Sequence, residues 1–415
     1  MTKLIGGNIS DTPIKDISDG SAFSAGGGGL ATAPVISGVG AVTSLGVYGA
    51  QRDSSNAMMT NPNVFKIKDN YWGYVWRDPS ASQKPYFTLV TFDANGDPTF
   101  KTAVDLSSQH SSLALPITGI SIDNDTSIVT YSGSALTNGS HEIVKWTLNL
   151  STGGLSSPTK STLAFNDTVS GENGTHAAKI ADDHIVVLEG YSTAVRAIGF
   201  KVSTGTFGSA TTLSGSAANL SSTSPCVVYD EASAGNTALY LSLNSNYTQV
   251  NTSLLTINTS TQAITETYSG TFTVGAPQYS GRTVVNIDTN SFFAAGPSGI
   301  FLINTDGGMS VSSMVGTPTG GGYHAGLVKV SNNRYIFAAA RNNTDISTQG
   351  YAYDPSTGVW QFSPVDYSLN GTLGDGAGGI SVLGLMIATE NSTRVVCLMV
   401  TDGGPLTYYN HADFS

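Results

Sequence analysis

The side chains that could bind a metal ion are scattered along the sequence. Six histidines lack the His-Glu-x-x-His or paired-cysteine spacing of zinc sites. They are His110, His141, His176, His184, His324 and His411. Residues 93–97 (Asp-Ala-Asn-Gly-Asp) resemble the start of a calcium loop without its distal glutamate, and their Asn-Gly pair is a strong hairpin signal. We expect turns there and in the equivalent segments 123–125 and 182–183, and no metal site.

Acid, base or nucleophilic catalysis has equally little support. Hydrolysis of a glycosidic bond needs two converging carboxyl groups, and no motif marks any glutamate for this role. The candidates are Glu142, Glu172, Glu189, Glu231, Glu266 and Glu390. We expect each to be a solvated surface residue, because ionised carboxylates are seldom buried. No G-x-S-x-G motif occurs, so the sequence predicts no catalytic and no cofactor-binding residue.

The sulfur and aromatic side chains indicate packing. Cys226 and Cys397 fall in different repeats of the chain, so we expect two free, buried thiols and no disulfide. The tryptophans fall mostly inside predicted strands, where packing is the expected role. They are Trp72, Trp76, Trp146 and Trp360. Tyr191 and Tyr247 on predicted loops could stack on sugars, although nothing distinguishes them from other tyrosines.

The elements that would position these residues are short strands in a repeated order. Residues 324–362 contain four of them, at 327–330, 334–340, 350–354 and 359–362. The intervening turns are rich in Asn, Gly and Pro, which adopt turn conformations at little cost. One such meander cannot bury both of its faces, but copies stacked side by side can.

The unit of turn and strand recurs seven times. In each copy an apolar residue ends the first strand, and a polar turn and a second apolar run follow it. These residues stand 43 to 59 apart and are Ile67, Ile122, Ile180, Val228, Ile287, Val330 and Val382. Four-stranded units of this period predict an all-β fold, a seven-bladed β-propeller of four-stranded antiparallel blades. In the last unit the strands are predicted at 380–382, 385–388, 395–400 and 406–409.

Residues 1–61 do not fit the repeat. We therefore divide the chain into an extended, Gly-rich N-terminal arm at 1–61 and the propeller at 62–415. Residues 33–50 are nearly uncharged and have strand propensity, which leaves two fates open for them. They either add an outer strand to the last blade and close the ring, or dock on a neighbouring subunit. Residues 1–30 are expected to order only against a partner.

Composition argues against two classes of function. The net charge is −11 and the 18 Lys and Arg residues form no cluster, which argues against nucleic-acid binding. No apolar run approaches the ~20 residues that span a bilayer, so no membrane insertion is expected. Residues 1–7 lack the apolar core of a secretory signal.

Two blades carry the features of a known group of proteins. Residues 327–362 and 177–212 each contain an apolar strand, an Asp or Asn turn, an apolar run and a hairpin ending in Thr-Gly. In this form they resemble the propeller repeats of tailed-bacteriophage virion proteins. They match neither the Trp-Asp pair of WD40 blades nor the double glycine of kelch blades.

The resemblance implies a non-enzymatic structural protein of a virion, located in a tail or fibre or associated with the capsid. Such a protein is made in the host cytoplasm, and its arm anchors it to the particle. Its partners would be other virion proteins and copies of itself in a homo-oligomer, with a host surface glycan or receptor as a further partner. The alternative is a carbohydrate-binding or glycoside-cleaving propeller that acts independently, as a monomer.

Overall fold

The chain is built from antiparallel strands and contains no helix over the part that the structure describes. The computed structural model describes residues 32–47, 64–78, 84–110, 114–134, 140–164, 175–191, 194–214, 226–229, 236–243, 249–273, 284–288, 290–296, 299–305, 310–315, 325–340, 346–354, 359–363, 367–368, 380–401 and 406–415. The first part of the predicted arm, through residue 31, lies outside these ranges. The same ranges hold no helix long and apolar enough to cross a bilayer.

Seven antiparallel sheets form the blades of a seven-bladed β-propeller, as the sequence predicts. Blades 1 to 3 contain, from the inner strand outward, β3 Val64–Lys68, β4 Tyr71–Asp78, β5 Lys84–Phe92, β6 Pro98–Phe100 and β7 Val104–Asp105; β8 Ala114–Ser121, β9 Ser127–Ser134, β10 Ser140–Leu148 and β11 Leu155–Ala164; and β12 Thr175–Ala181, β13 His184–Tyr191, β14 Ala194–Lys201, β15 Thr206–Phe207 and β16 Thr211–Thr212.

The remaining blades follow the same order. Blades 4 to 6 contain β17 Cys226–Tyr229, β18 Thr237–Leu243, β19 Gln249–Ile257 and β20 Ile264–Thr273; β21 Val284–Asp288, β22 Ser291–Gly296, β23 Gly299–Asn304 and β24 Ser310–Val315; and β25 Ala325–Ser331, β26 Arg334–Ala340, β27 Ile346–Asp354, β28 Val359–Phe362 and β29 Tyr367–Ser368. Blade 7 contains β30 Ile380–Ile387, β31 Arg394–Thr401, β32 Leu406–Phe414, β1 Ile36–Val39 and β2 Thr43–Val47.

The connection between the first and second strands shares one backbone feature in six blades. Each of these turns places an Asn or Asp at positive φ, which these two residue types tolerate better than others. They are Asn70, Asn124, Asp183, Asn236, Asn290 and Asn333. In five of these blades the carbonyl of this residue also accepts a hydrogen bond from the end of the third strand, as Asn70 does from Phe92 N at 3.0 Å. In blade 2 the carbonyl of Thr126 accepts the equivalent bond from Leu148 N at 2.8 Å. The polar turns that mark the repeat in the sequence therefore also tie three strands together.

The meander gives the propeller two different faces. The turns that join first to second and third to fourth strands lie on one face, which we call the turn face. The connections from second to third strand and from blade to blade start at the opposite face, the loop face. Asp78 and Lys84, at the paired ends of β4 and β5, lie at the loop face. Asn70 and Gly96 belong to the turn face.

The closing blade corrects one prediction and decides between two others. The predicted strands 380–382 and 385–388 are one strand, β30, interrupted by a bulge between Val382 and Gly384. The Leu383-Gly384 pair has the composition of a turn but sits in a continuous strand, because a bulge also accommodates glycine. The C-terminal region therefore supplies three strands, and β1 and β2 pair with β32 as the outer fourth. Of the two fates open for residues 33–50, the structure shows ring closure.

The apolar core lies between the blades. One cluster joins blades 6, 7 and 1 and includes Ile336, Leu398 and Trp72 together with Ile36 of the closing strand. Other clusters fill the gaps between blades 1 and 2, 2 and 3, 3 and 4, and 5 and 6. Blades 1, 2, 3, 6 and 7 therefore bury both faces against their neighbours, which a single meander cannot do.

The outer edge of every blade is interrupted. In blades 1, 3, 6 and 7 the outer strand is split into two pieces, as with β6 and β7. In blades 2, 4 and 5 it is continuous but bulged, and in blade 2 the bulge places Ser157 at positive φ. A bulge leaves a residue outside the ladder and twists the edge away, which discourages pairing with another chain.

Candidate functional site

A buried polar cluster lies between blades 1 and 2, towards the loop face. We call it the 1–2 cluster, and it consists of Arg77, His110, Thr130, Glu142 and Lys160. Arg77 comes from β4, and His110 lies in the connection between the two blades. The other three stand on β9, β10 and β11 of blade 2. Arg77 is 0% exposed and His110 is 1% exposed, so burial of two basic groups here is nearly complete.

The contacts of the cluster combine an ion pair within blade 2 with bonds to the connection that comes from blade 1. Lys160 Nζ lies 2.8 Å from Glu142 Oε1 and donates to the carbonyl of Gln109 at 2.6 Å. His110 Nε2 is 2.7 Å from Thr130 Oγ1, and Nδ1 is 3.8 Å from Glu142 Oε2. Blade 2 therefore binds the connection at two neighbouring residues, Gln109 through Lys160 and His110 through Thr130.

The hydroxyl of Thr130 also orients the imidazole. Trp146 Nε1 donates to Thr130 Oγ1 at 2.7 Å, which makes that oxygen an acceptor. When the Thr130 hydroxyl donates its own proton to His110 Nε2, the neutral imidazole carries its proton on Nδ1, on the side of Glu142. At 3.8 Å from Glu142 Oε2 this proton faces the carboxylate from beyond hydrogen-bond distance.

Burial dominates the electrostatics of the cluster. Desolvation lowers the pKa of Arg77 to about 10, and the charge of Glu142 opposes this shift. The pKa of His110 is lowered from its ordinary value, first by burial, while Glu142 raises it and Arg77 and Lys160 lower it further. His110 is therefore neutral at pH 7, and Glu142 is the carboxylate whose charge balances the buried guanidinium of Arg77.

The arrangement is suited to holding two blades together. Glu142 acts on both Arg77 and His110, and its carboxylate is occupied by Lys160. The junction of blades 3 and 4 uses a similar device, since Glu266 accepts from Ser214 N at 2.7 Å and also from the Ser253 hydroxyl. In both places a charged side chain of the following blade, Lys160 or Glu266, forms a hydrogen bond with the backbone at the end of the preceding blade.

The prediction that every glutamate is a solvated surface residue is wrong for Glu142. Glu142 is 8% exposed, and its burial is compensated by Lys160 and the neighbouring basic groups. Glu390 is exposed, as predicted, and Glu266 is partly buried. Glu172 and Glu231 lie outside the described residues, as does the side chain of Glu189. Burial of Glu142 depends on a neighbouring blade, so no local pattern signals it.

The histidines are mostly buried and serve different contacts. His110, His141, His176 and His184 are each at most 3% exposed, whereas His411 is partly exposed. His184 lies 3.2 Å from the carbonyl of Thr259 in the next blade, and His141 Nδ1 lies 2.7 Å from the Tyr131 hydroxyl. Over the described ranges, no three His, Cys, Asp or Glu residues are grouped so as to hold a metal ion. His324 is outside those ranges.

The segment that resembles a calcium loop forms a turn. Asp93 Oδ1 accepts from the amides of Asn95 and Asp97 at 2.9 and 2.8 Å, and Gly96 has a φ of 78°. These bonds lower the pKa of Asp93 and use one carboxylate oxygen for the backbone. Asp123 accepts from two amides of its own turn in the same way.

The predicted packing residues are where the sequence places them, so far as they are described. Cys397 is a free, buried thiol, and burial raises its pKa to about 12. Trp72, Trp76 and Trp146 are at most 7% exposed. The side chains of Cys226, Trp360 and Tyr191 and the whole of Tyr247 lie outside the description.

The fold and the site define the class of protein, a seven-bladed β-propeller whose blades are joined by polar locks. The sequence matches no protein-family model and no curated protein. Among solved structures, the S. cerevisiae core factor is similar with a TM-score of 0.50 at 10% identity, over 92% of this chain and 62% of that chain. This chain thus spans less than two thirds of that one.

Two further structures are similar over most of both chains. A putative 6-phosphogluconolactonase from Bacteroides fragilis has a TM-score of 0.48 at 13% identity, over 76% of this chain and 85% of that chain. The periplasmic gluconolactonase of Pseudomonas aeruginosa has a TM-score of 0.46 at 12% identity, over 81% and 97%. At these identities the likeness concerns the fold alone, and it carries no argument about activity.

Proposed function

We propose that this chain is a non-enzymatic structural protein of a phage virion, located in a tail or fibre or associated with the capsid. The residues before Thr32 anchor it to the particle, and the propeller projects as a rigid module. Its loop face contacts further virion proteins or the host surface. The resemblance of the blades to phage propeller repeats suggests this role, and three features of the structure support it.

The observation that carries the proposal is the place where the leader meets the ring. Arg334 Nε donates to the carbonyl of Thr32 at 2.9 Å, and Arg334 stands at the turn-face end of β26. Thr32 therefore lies at the turn face, whereas the connections of variable length start from the loop face. An anchor on one face leaves the other free for recognition, which in many folds is the task of loops.

The interrupted edges of the blades support a role at high local concentration. Each outer strand is split or bulged, so the rim of the ring offers no regular ladder to a neighbouring copy. The net charge of −11 adds a repulsion between copies. Many copies can then stand side by side on a particle without aggregating through their sheets.

The 1–2 cluster supports a structural rather than a catalytic role. Glu142 is occupied by Lys160 at 2.8 Å and balances buried cations. A glycosidase requires a second carboxyl group facing the first across the bond to be cleaved. The cluster instead connects two blades, which is a function of stability.

The proposal is tested by comparing the full chain with a variant that lacks residues 1–31. Sedimentation velocity of the full chain should show a discrete oligomer, and the shortened variant should be a monomer with unchanged cooperative unfolding in urea. A full chain that is monomeric, binds on a glycan array and loses glycan hydrolysis in Glu142→Gln would overturn the proposal in favour of an independent carbohydrate-active propeller. Oligomers that persist without residues 1–31 would contradict the anchoring role of the leader.

A further inference from the structure

The closing blade contains an open hairpin at the turn face. Val35 N donates to the carbonyl of Ser415 at 3.2 Å, and Ser415 N donates to the carbonyl of Val35 at 3.1 Å. In blade 4 the amide of Asn258 donates to Ala263 across the equivalent turn at 2.9 Å. The segment around Val35 and the end of β32 thus meet as the two arms of a turn, without a peptide link between them.

Blade 6 fastens this open hairpin from the side. Arg334 donates from Nε to the carbonyl of Thr32 and from Nη2 to the carbonyl of Ser415, at 2.9 and 2.6 Å. Pro34 packs so closely on Gly350 of β27 that a Cβ at Gly350 would lie 1.9 Å from the Pro34 oxygen. These contacts, together with the two hydrogen bonds between Val35 and Ser415, form what we call the terminal latch. Its residues are Thr32, Pro34, Val35, Arg334, Gly350 and Ser415.

The direction of the closing strand decides how a pull on the leader is carried. Ile36 pairs with Phe414 at the turn face, and Val47 pairs with Leu406 at the loop face. A pull on Thr32 away from the turn face is therefore directed along β1 and β2. Hydrogen bonds between strands share such a pull, whereas a pull across the strands breaks the bonds one after another.

We propose that the terminal latch and the pairing of β1 and β2 with β32 form a force-bearing attachment, which resists tension between the leader and the loop face. This inference rests on the proposed anchoring role of residues 1–31, since only an anchored leader carries tension. The latch is the first part to meet the pull, and the strand pairing behind it is loaded in shear. An arm that enters through the rim or the loop face would have no such protection.

The test is single-molecule pulling on the full chain in two directions. One handle is attached at the N-terminus and the other at a new cysteine, in a background carrying Cys226→Ala. Cys397 can remain, because burial raises its pKa to about 12 and keeps it a protonated thiol. Lys84→Cys at the loop face gives the axial pull, and Asp182→Cys gives a pull across the turn face, where the Asp182 side chain is 95% exposed.

We expect the axial pull to require about twice the force of the transverse pull at the same loading rate, because forced unfolding reports the height of the unfolding barrier. Arg334→Ala should lower the axial force by about a third, because the guanidinium holds Thr32 and Ser415 where the pull enters the fold. Lys68→Ala is the matched control, since it removes a cross-blade ion pair with Asp125 on the same face but away from the latch. Both forces should be unchanged in that variant.

Equal forces in the two directions would overturn the inference, as would an equal loss of axial force in Lys68→Ala and Arg334→Ala. Neither result would alter the anchoring role itself, which is tested separately by sedimentation of the variant that lacks residues 1–31. If the axial force is high while that variant still forms oligomers, the attachment resists tension but the leader does not assemble the particle.

Discussion

At two junctions between blades, a backbone carbonyl packs on a glycine of the preceding blade. In one junction the carbonyl belongs to a continuous turn, and in the other it belongs to a segment that is not joined covalently to the strand beside it. Between blades 3 and 4, the carbonyl of Gln262 lies over Gly199, where an added Cβ would be 2.2 Å from the oxygen. Between blades 6 and 7, the carbonyl of Pro34 lies over Gly350 at the corresponding position of its strand. The amides of Gly208 and Ser363 donate to the carbonyls of Gly199 and Gly350 in the same manner.

The difference lies in what stands behind the contacting carbonyl. Gln262 belongs to a continuous turn from β19 to β20, whereas Pro34 belongs to a segment that meets β32 only through hydrogen bonds. The closing junction compensates with Arg334, which holds both chain segments at once. Both junctions thus contain the packing of a carbonyl on a glycine, and the closing junction, where the chain is not continuous, adds the hydrogen bonds of Arg334.

The largest effect is expected from removing the closing strand. A variant without residues 1–47 loses Ile36 from the core and leaves β32 without an outer neighbour, whereas a variant without residues 1–31 keeps both. We expect the longer deletion to cost about 5 kcal/mol of unfolding free energy. Urea unfolding of the two variants gives the measurement. Similar midpoints for both would show that ring closure adds little.

The next effect concerns a junction within the continuous chain. Glu142→Gln removes the carboxylate that compensates Lys160 and the buried basic groups of the 1–2 cluster. Because an uncompensated buried charge remains, we expect a loss of about 3 kcal/mol. Glu390→Gln on the exposed surface is the control and should change stability by less than about 0.5 kcal/mol. If the two substitutions lower the unfolding free energy equally, the 1–2 cluster does not stabilise the junction between the blades.

The two glycines compare the junctions directly. Gly199→Ala pushes against a continuous turn that cannot withdraw, so we expect a loss of about 2 kcal/mol. Gly350→Ala pushes against a segment that can shift, so the global loss should be smaller, about 1 kcal/mol. The amide of Val35 should then exchange faster with solvent in the Gly350 variant only. A larger global loss at Gly350 would show that the closing segment is as rigid as a covalent turn.

The smallest effect at neutral pH is expected from the imidazole of the 1–2 cluster. Burial lowers the pKa of His110 below its ordinary value of 6.5, so the unfolded chain binds more protons than the folded one when the pH falls below 6.5. Stability is therefore retained above pH 6.5 and lost as the pH falls below it.

His110→Gln should flatten this decline, because the variant has no proton to take up at this site on unfolding. Urea midpoints between pH 7.5 and pH 5 provide the measurement for both proteins. Parallel declines in the two proteins would assign the acid sensitivity to other groups.

Much of the fold could be predicted because its signals are local. The Asn and Asp residues at positive φ, such as Asn70 and Asn333, stand in the polar turns that mark the repeat. The strands of blade 6 are found at or near their predicted positions, with β26 and β28 matching at both ends. The closing blade was the exception, because the bulge in β30 has the composition of a turn and its fourth strand comes from the other end of the chain.

The candidate site could not be predicted in the same way. Arg77 and Lys160 carry no motif, and Glu142 has the sequence surroundings of a surface residue. The cluster forms because blades 1 and 2 pack face to face, which brings Arg77 of one sheet under the charge of Glu142 of the other. Arg334 was likewise unremarkable in sequence, although it holds two segments more than 300 positions apart in residue number.

The sequence by itself determined the repeat, since six of the turns between first and second strands depend on the φ preference of a single Asn or Asp and each strand on neighbouring apolar residues. The tertiary structure alone decided how the ring closes and which charges are buried, because both depend on contacts between distant segments. The pairing of β1 with β32 forms only when the ring closes, and the charge of Glu142 acts on Arg77 only once blade 2 packs against blade 1.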